Sequence, residues 1–597
     1  MSTNPPIHVP DRKRLFAVRA VSALVVFLGL CGETVAAEMG FLDCMIRPGR
    51  VERTKLQPEG RIEAARGEWE PLQVVLRGEA KELGALGMSV IAPANAAGEK
   101  LAASWTLFRG DYVRVGQSTE FAPLPPGEYV DPLVPIPKGA PLLMPGKKEQ
   151  GEINQPVWID FHIAGEAQPG LYRGEVVIQG PGGAEVGRKP FEVQVWDFVL
   201  PPMPSLKSSI GMDPERVAKI HDLQKGTQPF NQLCRRYEDL LADHLLSPEM
   251  FWGSLECYDA DRGTASLDRE GLPGLGTPRE IYRHFFEEKH LRNGAIGFWP
   301  EWPLKDSFGK DRDTALRMLA QLIKQFEAEG WAKRLAVNCG SVDEPKSRKD
   351  YDEVRRHGAF FNELEKRYGV RLPMWVTEQP ASESWWWGSL RGSVDIYVPH
   401  VSDVWEDMHG RKTRQIEARL KDGDEIWMYP AMVQVPGGWL KSHGMPKVLT
   451  EGNPPAWILD FPPMNYRIFA WAAPLYGITG ILYWDTVEWR DGMDPWERAD
   501  TYVQEKEVFN GDGQMIYPGF RGRVGFEGPV PSVRLKWIRE AMEDHGYISL
   551  LQERGEGEWA KEQIRRVCRG IGDWDASPAK LFEVRRDLAR RLEQKKK

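Results

Sequence analysis

The chain has 597 residues and a formal net charge of −8 at pH 7, with 42% hydrophobic and 27% charged residues. At roughly 150 residues per domain this length predicts several domains, and the composition is that of an ordinary globular protein. The negative charge argues against a nucleic-acid partner, because phosphate binding requires a basic surface. The 23 Trp residues suit a carbohydrate-binding protein, since indole stacks on the apolar faces of sugars, although core packing accounts for most tryptophans in any protein.

The first 37 residues have the pattern of a secretory signal peptide. Basic residues at 12–19 precede the apolar stretch 20–30, which is too short to span a bilayer. Small residues at 35–37 offer a cleavage site, so we expect the mature chain to begin near Glu38 and to be exported to the periplasm, the cell surface or the medium. No later segment is long and apolar enough to predict a membrane span.

The cysteines give no sign of a metal site or of a disulfide framework. After Cys31, which lies in the predicted signal peptide, they are far apart and lack CxxC spacing: Cys44, Cys234, Cys257, Cys339 and Cys568. We expect no metal ion, and we expect no other cofactor.

Residues 38–203 predict an all-β domain. Runs in which apolar and polar residues alternate, such as Pro71–Leu76 and Val157–Ile163, are separated by turns rich in Gly and Pro. Pro201-Pro202 then marks a linker, because proline cannot donate to a strand ladder. The pattern is typical of a β-sandwich.

Residues 204–525 predict a (β/α)8 barrel. Strands alternate with helical segments such as 313–330 and 351–368, as in parallel β/α units. The active site of such a barrel lies at the carboxyl ends of its strands. The eight predicted strands are 205–212, 241–246, 295–299, 334–339, 373–377, 394–399, 425–429 and 480–484.

The remaining segment, 526–597, is charge-rich and predicted to be helical. Apolar residues recur at helical spacing between Arg534 and Gln552. Ser577-Pro578 has the pattern of an N-cap followed by a first helical residue, which predicts a final, solvated helix to Lys597.

Two adjacent acids, Asp343 and Glu344, directly follow the fourth predicted strand. In a barrel this position points side chains into the active site, and Pro345 disfavours helix at Glu344. Adjacent acids are also common in solvated turns, so the barrel position is what favours a catalytic role.

Other strand ends carry polar or aromatic residues that could bind a sugar, although each could equally serve the core, a loop or the surface. Taken together they would place acids and aromatic rings on one rim, as a sugar cleft requires. The predicted substrate-binding residues are Trp299, Glu378, His400, Tyr429, Trp484 and Asp485.

Several short motifs, in order along the chain, resemble glycoside hydrolase family 123. They are Pro156–Asp160, Pro169–Gly174, Asp343-Glu344-Pro345, Gly480–Asp485, Asn510–Pro518 and Ser532–Arg539 with Glu543-Asp544. One departure follows the last motif, where relatives often carry Tyr-Glu-Tyr and this chain has His545-Gly546-Tyr547.

The resemblance implies a β-sandwich followed by a (β/α)8 barrel, and retaining hydrolysis of β-linked N-acetylgalactosaminides by substrate assistance. It implies that Glu344 is the general acid/base and that Asp343 orients the 2-acetamido group of the substrate. Charge repulsion between neighbouring acids is expected to keep Glu344 protonated near neutral pH.

Two other functions remain open on the sequence. A glycosidase with a protein nucleophile would pair Glu344 with Glu378, Asp485 or Glu488, at about 5–5.5 Å between the carboxyl groups. A non-catalytic glycan-binding protein could also keep the barrel as a scaffold, because fold does not fix function.

Overall fold

The computed structural model describes residues 37–137, 140, 142, 151–377, 383–384, 386–404, 411–433, 447–448 and 455–594. The predicted signal peptide, up to residue 36, lies outside the described residues, and so does Glu378. In the described part of the chain, no helix is long and apolar enough to cross a membrane.

The N-terminal segment forms two β-sheets. The first has the order β1-β3-β7-β5-β6 and is antiparallel, whereas the second has the order β2-β9-β8-β4, with β2 and β9 parallel. The sheets contact each other through the rings of Phe161 and Phe191, whose centroids lie 5.4 Å apart. The strands are β1 Glu38–Leu42, β2 Gly60–Arg66, β3 Trp69–Glu79, β4 Gly87–Ala94, β5 Ala103–Val115, β6 Gly127–Ile136, β7 Glu152–Ile163, β8 Gly170–Gln179 and β9 Glu185–Val199.

The predicted strands Pro71–Leu76 and Val157–Ile163 pair with each other within β3 and β7, where Leu72 lies opposite Ile159. Both strands are buried on both faces. One face meets the second sheet, and the other is covered by the C-terminal helix Val533–Glu553, which contacts β7 through Asp160. The polar residues of these strands are therefore buried, although their alternation resembles that of a strand with one solvated face.

Seven parallel strands form a nearly closed barrel. Their positions agree with seven of the eight strands predicted from the sequence, because short apolar runs between helices are typical of buried parallel strands. In spatial order they are Lys207–Ile210, Gly480–Tyr483, Glu425–Met428, Ile396–Tyr397, Met374–Val376, Leu335–Asn338 and Gly294–Ile296.

The predicted second strand, 241–246, is wrong. These residues form the end of the helix Gln228–Ala242 and the turn that follows it. The apolar residues Leu241 and Leu246 are buried, but a short apolar run does not by itself distinguish a strand from a helix end.

An extended segment, 247–249, takes the place of the missing strand. Ile210 donates its N–H to the carbonyl of Ser247 and accepts from the N–H of Glu249, at 3.0 and 2.8 Å. Asn293 closes the remaining gap, because its side-chain amide bonds both the N–H and the carbonyl of Ser208, at 3.0 and 2.8 Å.

The helix Arg348–Tyr368 begins and ends where capping chemistry predicts. Ser347 accepts from the N–H of Asp350 at the start of Arg348–Tyr368, and Gly369, with φ of 67°, ends that helix. The described helices of this region are Pro214–Ile220, Gln228–Ala242, Pro278–Arg283, Arg312–Ala328, Arg348–Tyr368, Val401–Val404, Arg411–Asp422, Met464–Tyr476 and Arg521–Val524. Short hairpins pair Tyr258–Asp259 with Thr264–Ala265, Glu383–Ser384 with Gly388–Ser389, Tyr502–Gln504 with Glu507–Phe509, Ile516–Gly519 with Gly528–Pro531, and Cys568–Gly570 with Asp573–Trp574.

The C-terminal end is helical, with helices Val533–Glu553, Gly557–Ile564 and Pro578–Glu593. The last of these is less solvated than the sequence predicts, because Arg585 is only 4% exposed and makes ion pairs with Glu68, Glu70 and Asp544. The departure from the family motif also lies here. A Cβ on Gly546 would stand 2.6 Å from Leu200, so the glycine admits that side chain.

Candidate active site

The acidic pair lies in the loop between the strand Leu335–Asn338 and the helix Arg348–Tyr368. Thr377, directly after the neighbouring strand, holds this loop: its hydroxyl accepts from the N–H of Glu344 at 2.9 Å and donates to Oδ1 of Asp343 at 2.6 Å. Glu344 has a φ of 45°, in the left-handed region that non-glycine residues rarely adopt. Such a conformation persists only where the surroundings impose it, and it is common at active sites.

Both carboxyl oxygens of Glu344 accept hydrogen bonds. Oε1 accepts from the hydroxyl of Tyr429, and Oε2 accepts from Nζ of Lys346 at 2.7 Å. Burial alone would raise the pKa of Glu344, but the bonds from Lys346 and Tyr429 outweigh it and lower this pKa below its ordinary value. The expectation that Glu344 stays protonated near neutral pH is therefore wrong for the ligand-free protein, because a cation beside the carboxyl favours its ionised form.

The pair opens into a cavity of about 820 Å³ at the carboxyl ends of the barrel strands. This size and its mixture of polar and aromatic side chains suit a sugar ring. The cavity is lined by Glu249, Asn338, Cys339, Gly340, Ser341, Val342, Asp343, Glu344, Lys346, Trp375, Thr377, Tyr429, Ala431, Met432, Leu482, Trp484, Tyr502, Gln504 and Asp512. Four of the candidate residues, Asp343, Glu344, Tyr429 and Trp484, are thus brought together.

Trp484 is partly buried and forms one wall of this cavity. Its indole N–H donates to Asp512 at 3.3 Å, and its ring meets Tyr502 edge-on with centroids 5.4 Å apart. The ring is therefore held in place while part of it faces the cavity, as a stacking platform for a sugar requires.

Three other candidates do not line the cavity. Asp485 accepts from the N–H groups of Thr486 and Val487 and from Arg216 at 2.9 Å, and burial raises its pKa to about 6. Trp299 stacks on Trp302 with centroids 5.9 Å apart.

The third, His400, lies behind Tyr429. Its ring meets the tyrosine edge-on, with centroids 5.1 Å apart, and hydrogen-bonds Ser402 and the carbonyl of Ala431. His400 can therefore fix Tyr429 against Glu344, whereas Glu378, the remaining candidate, falls outside the described residues.

Glu249 is a cavity residue that the sequence reasoning missed. It ends the extended segment that replaces the predicted second strand, and its Oε1 accepts from the side chain of Asn338 at 2.9 Å. An acid at the end of a barrel strand is the pattern that also identifies Asp343 and Glu344, but the predicted strand lies six residues too early in the sequence. Lys346 and Thr377 were missed as well, because spacing along the chain does not show which side chains meet within a loop or between neighbouring strand ends.

The N-terminal segment supports the far wall of the cavity. Phe121 and Ala122, between β5 and β6, belong to an apolar cluster with Met432 and Tyr502, which line the cavity. The same loop is fixed by Thr119, which hydrogen-bonds Asp460 through its N–H at 2.7 Å. The sheets and the barrel thus build the site together.

Comparison with known structures finds a similar fold. A solved family 123 glycoside hydrolase from Clostridium perfringens, described for glycolipid glycan hydrolysis, superposes with a TM-score of 0.60 at 13% identity, covering 93% of this chain and 97% of that one. An endo-β-1,4-mannanase from Thermotoga petrophila gives a TM-score of 0.29 at 10% identity, covering 58% and 77% of the two chains. No curated protein matches the sequence.

The sequence itself carries the family assignment. Residues 310–551, which include the acidic pair and the strands bearing Tyr429 and Trp484, match the family model described as the glycoside hydrolase 123 catalytic domain. The chain therefore contains a catalytic domain of glycoside hydrolase family 123 and is a glycosidase.

Proposed function

We propose that this glycosidase is a retaining β-N-acetylgalactosaminidase that uses substrate assistance. The identity of the substrate sugar is inferred from the resemblance to glycoside hydrolase family 123. The mechanism is supported by one observation above all: Asp343 and Glu344 share a single cavity but have different partners, Thr377 for the first and Lys346 and Tyr429 for the second.

In the first step, protonated Glu344 gives its proton to the glycosidic oxygen as the bond from that oxygen to C1 breaks. The carbonyl oxygen of the 2-acetamido group attacks C1 from the opposite face and forms an oxazolinium ion. Asp343, oriented by Thr377, accepts a hydrogen bond from the amide N–H and stabilises the positive charge that develops on this group.

In the second step, Glu344 takes a proton from a water molecule, whose oxygen adds to C1. The oxazolinium ring opens, the acetamido group is restored and Glu344 is protonated again. Two inversions at C1 leave the product with the configuration of the substrate.

A protein nucleophile is less well supported. Two of the three acids that could serve, Asp485 and Glu488, are both ion-paired with Arg216, and neither lines the cavity. A nucleophile would have to leave this arginine before it could reach C1.

A panel of chromogenic β-glycosides tests the proposal. We expect turnover of the N-acetylgalactosaminide and none of the galactoside, which lacks the assisting amide. A preparation purified in parallel from host cells that lack the gene serves as the control for contaminating activity. Equal turnover of the galactoside would reject substrate assistance.

We also propose export, from the signal-peptide pattern in residues 1–37. Expression in a bacterial host should give a mature chain that starts near Glu38 outside the cytoplasm. Deletion of residues 2–37 should retain the protein in the cytoplasm, and an identical distribution of both forms would reject the proposal.

A further inference from the structure

Among the described residues that line the cavity, Glu249 is the one carboxyl that the mechanism above does not use and that several partners do not hold in place. Asp512 is the other cavity carboxyl that the mechanism does not use. It accepts from the N–H of Met432, the hydroxyl of Tyr483 and the indole of Trp484, so it fixes the cavity wall. Among the described residues, only the amide of Asn338 hydrogen-bonds the carboxyl of Glu249, through Oε1.

Its surroundings also favour a role in binding. Burial and the nearby charge of Asp343 raise the pKa of Glu249, against the opposing bond from Asn338. A carboxylate accepts hydrogen bonds and its protonated form also donates one, so either form can bond a sugar hydroxyl. Burial of this carboxyl costs free energy, and a hydrogen bond from a hydroxyl group offsets part of that cost.

The position of Glu249 in the cavity suggests which hydroxyl it meets. Asn338, which ends its barrel strand, bonds Glu249, and the nearby acid that acts on Glu249 is Asp343, whereas Tyr429 bonds Glu344. Glu249 therefore lies on the Asp343 side of the acidic pair, and Tyr429 lies on the Glu344 side. If Glu344 meets the oxygen on C1 and Asp343 the amide on C2, the next ring carbon on the side of Glu249 is C3.

We propose that Glu249 is a substrate-binding residue that hydrogen-bonds the 3-hydroxyl of the sugar whose glycosidic bond is broken. This inference rests on the proposed function, because the roles of Asp343 and Glu344 orient the ring. It implies that a substituent on O3 of that sugar is excluded from the cavity.

The test compares Glu249→Ala with wild type on an aryl N-acetyl-β-galactosaminide and on its 3-deoxy analogue. A hydrogen bond to a carboxyl group is worth about 10- to 100-fold in binding, so kcat/KM on the parent substrate should fall by about that factor. On the 3-deoxy substrate the variant and wild type should differ by less than about threefold, since the partner is already missing.

Two controls separate binding from folding and from general damage. Glu249→Gln keeps the shape of the side chain, so its kcat/KM on the parent substrate should lie between those of wild type and Glu249→Ala. Asp343→Asn, which acts on the acetamido group, should lose the same factor on both substrates. Equal losses on both substrates for Glu249→Ala, or no loss on either, would overturn the inference.

Binding separates a failure of this inference from a failure of the proposed function. Calorimetry of free N-acetylgalactosamine and its 3-deoxy form, on protein carrying Glu344→Gln, needs no turnover. The inference predicts that the 3-deoxy sugar binds more weakly than N-acetylgalactosamine, and that this difference in affinity is lost when Glu249→Ala is added. Such a result supports the inference even if the wild type does not hydrolyse the aryl glycoside. Equal binding of the two sugars overturns it, even if the wild type is active.

Discussion

At the scale of single residues, the protonation of Glu344 is set by the two groups that contact its carboxyl. Because the bonds from Lys346 and Tyr429 outweigh burial and lower its pKa in the free protein, the protonated form that the proposed acid role requires is present mainly on the acid side of neutrality. Activity should fall as the pH rises through this pKa, which kcat/KM reports for the free enzyme.

Replacing Lys346 tests this account. Without its ammonium group the pKa of Glu344 rises, so the alkaline limb of the kcat/KM profile for Lys346→Met should lie at higher pH than that of wild type. Lys324→Met, on an exposed position of the helix Arg312–Ala328, is the matched control and should leave the limb unchanged. A limb that stays in place, or moves to lower pH, would show that Lys346 does not act on Glu344.

The acid role itself predicts a dependence on the leaving group. Glu344→Gln should lower kcat by about 10²- to 10⁴-fold on natural or alkyl glycosides, which need a proton to leave. Activated aryl glycosides leave without full protonation, so their loss should be much smaller. Steady-state kinetics on one substrate of each kind measures the difference, and equal losses would argue against proton donation by Glu344.

At the scale of elements, the helix Val533–Glu553 joins the sheets to the barrel through buried charges. Asp160 of β7 accepts from Arg539 twice and from Lys536 once, all at 2.8 Å, and the three side chains are at most 3% exposed. Although burial would raise the pKa of Asp160, the two cations hold it well below its usual range. A buried carboxylate between two cations stabilises the fold only while all three are present.

Asp160→Asn should therefore destabilise the protein by ~3–5 kcal/mol, because it removes the carboxylate that pairs with buried Lys536 and that bonds buried Arg539 twice. Urea unfolding followed by tryptophan fluorescence measures the shift in the midpoint. Asp313→Asn removes an exposed ion pair with Arg367 and should leave the midpoint nearly unchanged. A similar midpoint for both variants would contradict the structural role of Asp160.

The elements also show where prediction from the sequence succeeds and where it stops. The acids after the fourth strand could be predicted because a strand followed by a polar turn is a local pattern. The buried partners of Arg539 and Arg585 could not, since Asp160 and Glu68 are several hundred residues away in the chain. The second barrel strand was misplaced for a local reason: Leu241 and Leu246 give an apolar run that suits a strand and a helix end equally.

At the scale of the whole molecule, the two N-terminal sheets and the barrel depend on each other. Arg534 of the C-terminal helix pairs with Asp131 of β6 at 2.8 Å, and both side chains are fully buried. Arg585 pairs with Glu68 and Glu70 of the sheets, while Phe121 and Ala122 support Tyr502 in the cavity wall. Removing the sheets would expose these charges and apolar groups together.

A truncated chain of residues 204–597 should accordingly fail to form a stable, active barrel, although it contains every candidate catalytic residue. Soluble yield and circular dichroism measure folding, and the full mature chain of residues 38–597 is the control. A truncated chain that folds with normal activity would contradict the interdependence of the two parts.

Substrate assistance means that the substrate supplies its own nucleophile. Aryl glycosides with fluorinated acetamido groups test this mechanism most directly. Replacing the acetyl hydrogens by one, two and three fluorines makes the amide carbonyl progressively less nucleophilic while changing its size little. Substrate assistance predicts that kcat/KM on aryl glycosides falls steeply at each step, because the carbonyl oxygen attacks C1. Rates that stay level across the series would contradict the claim and would indicate a nucleophile supplied by the protein.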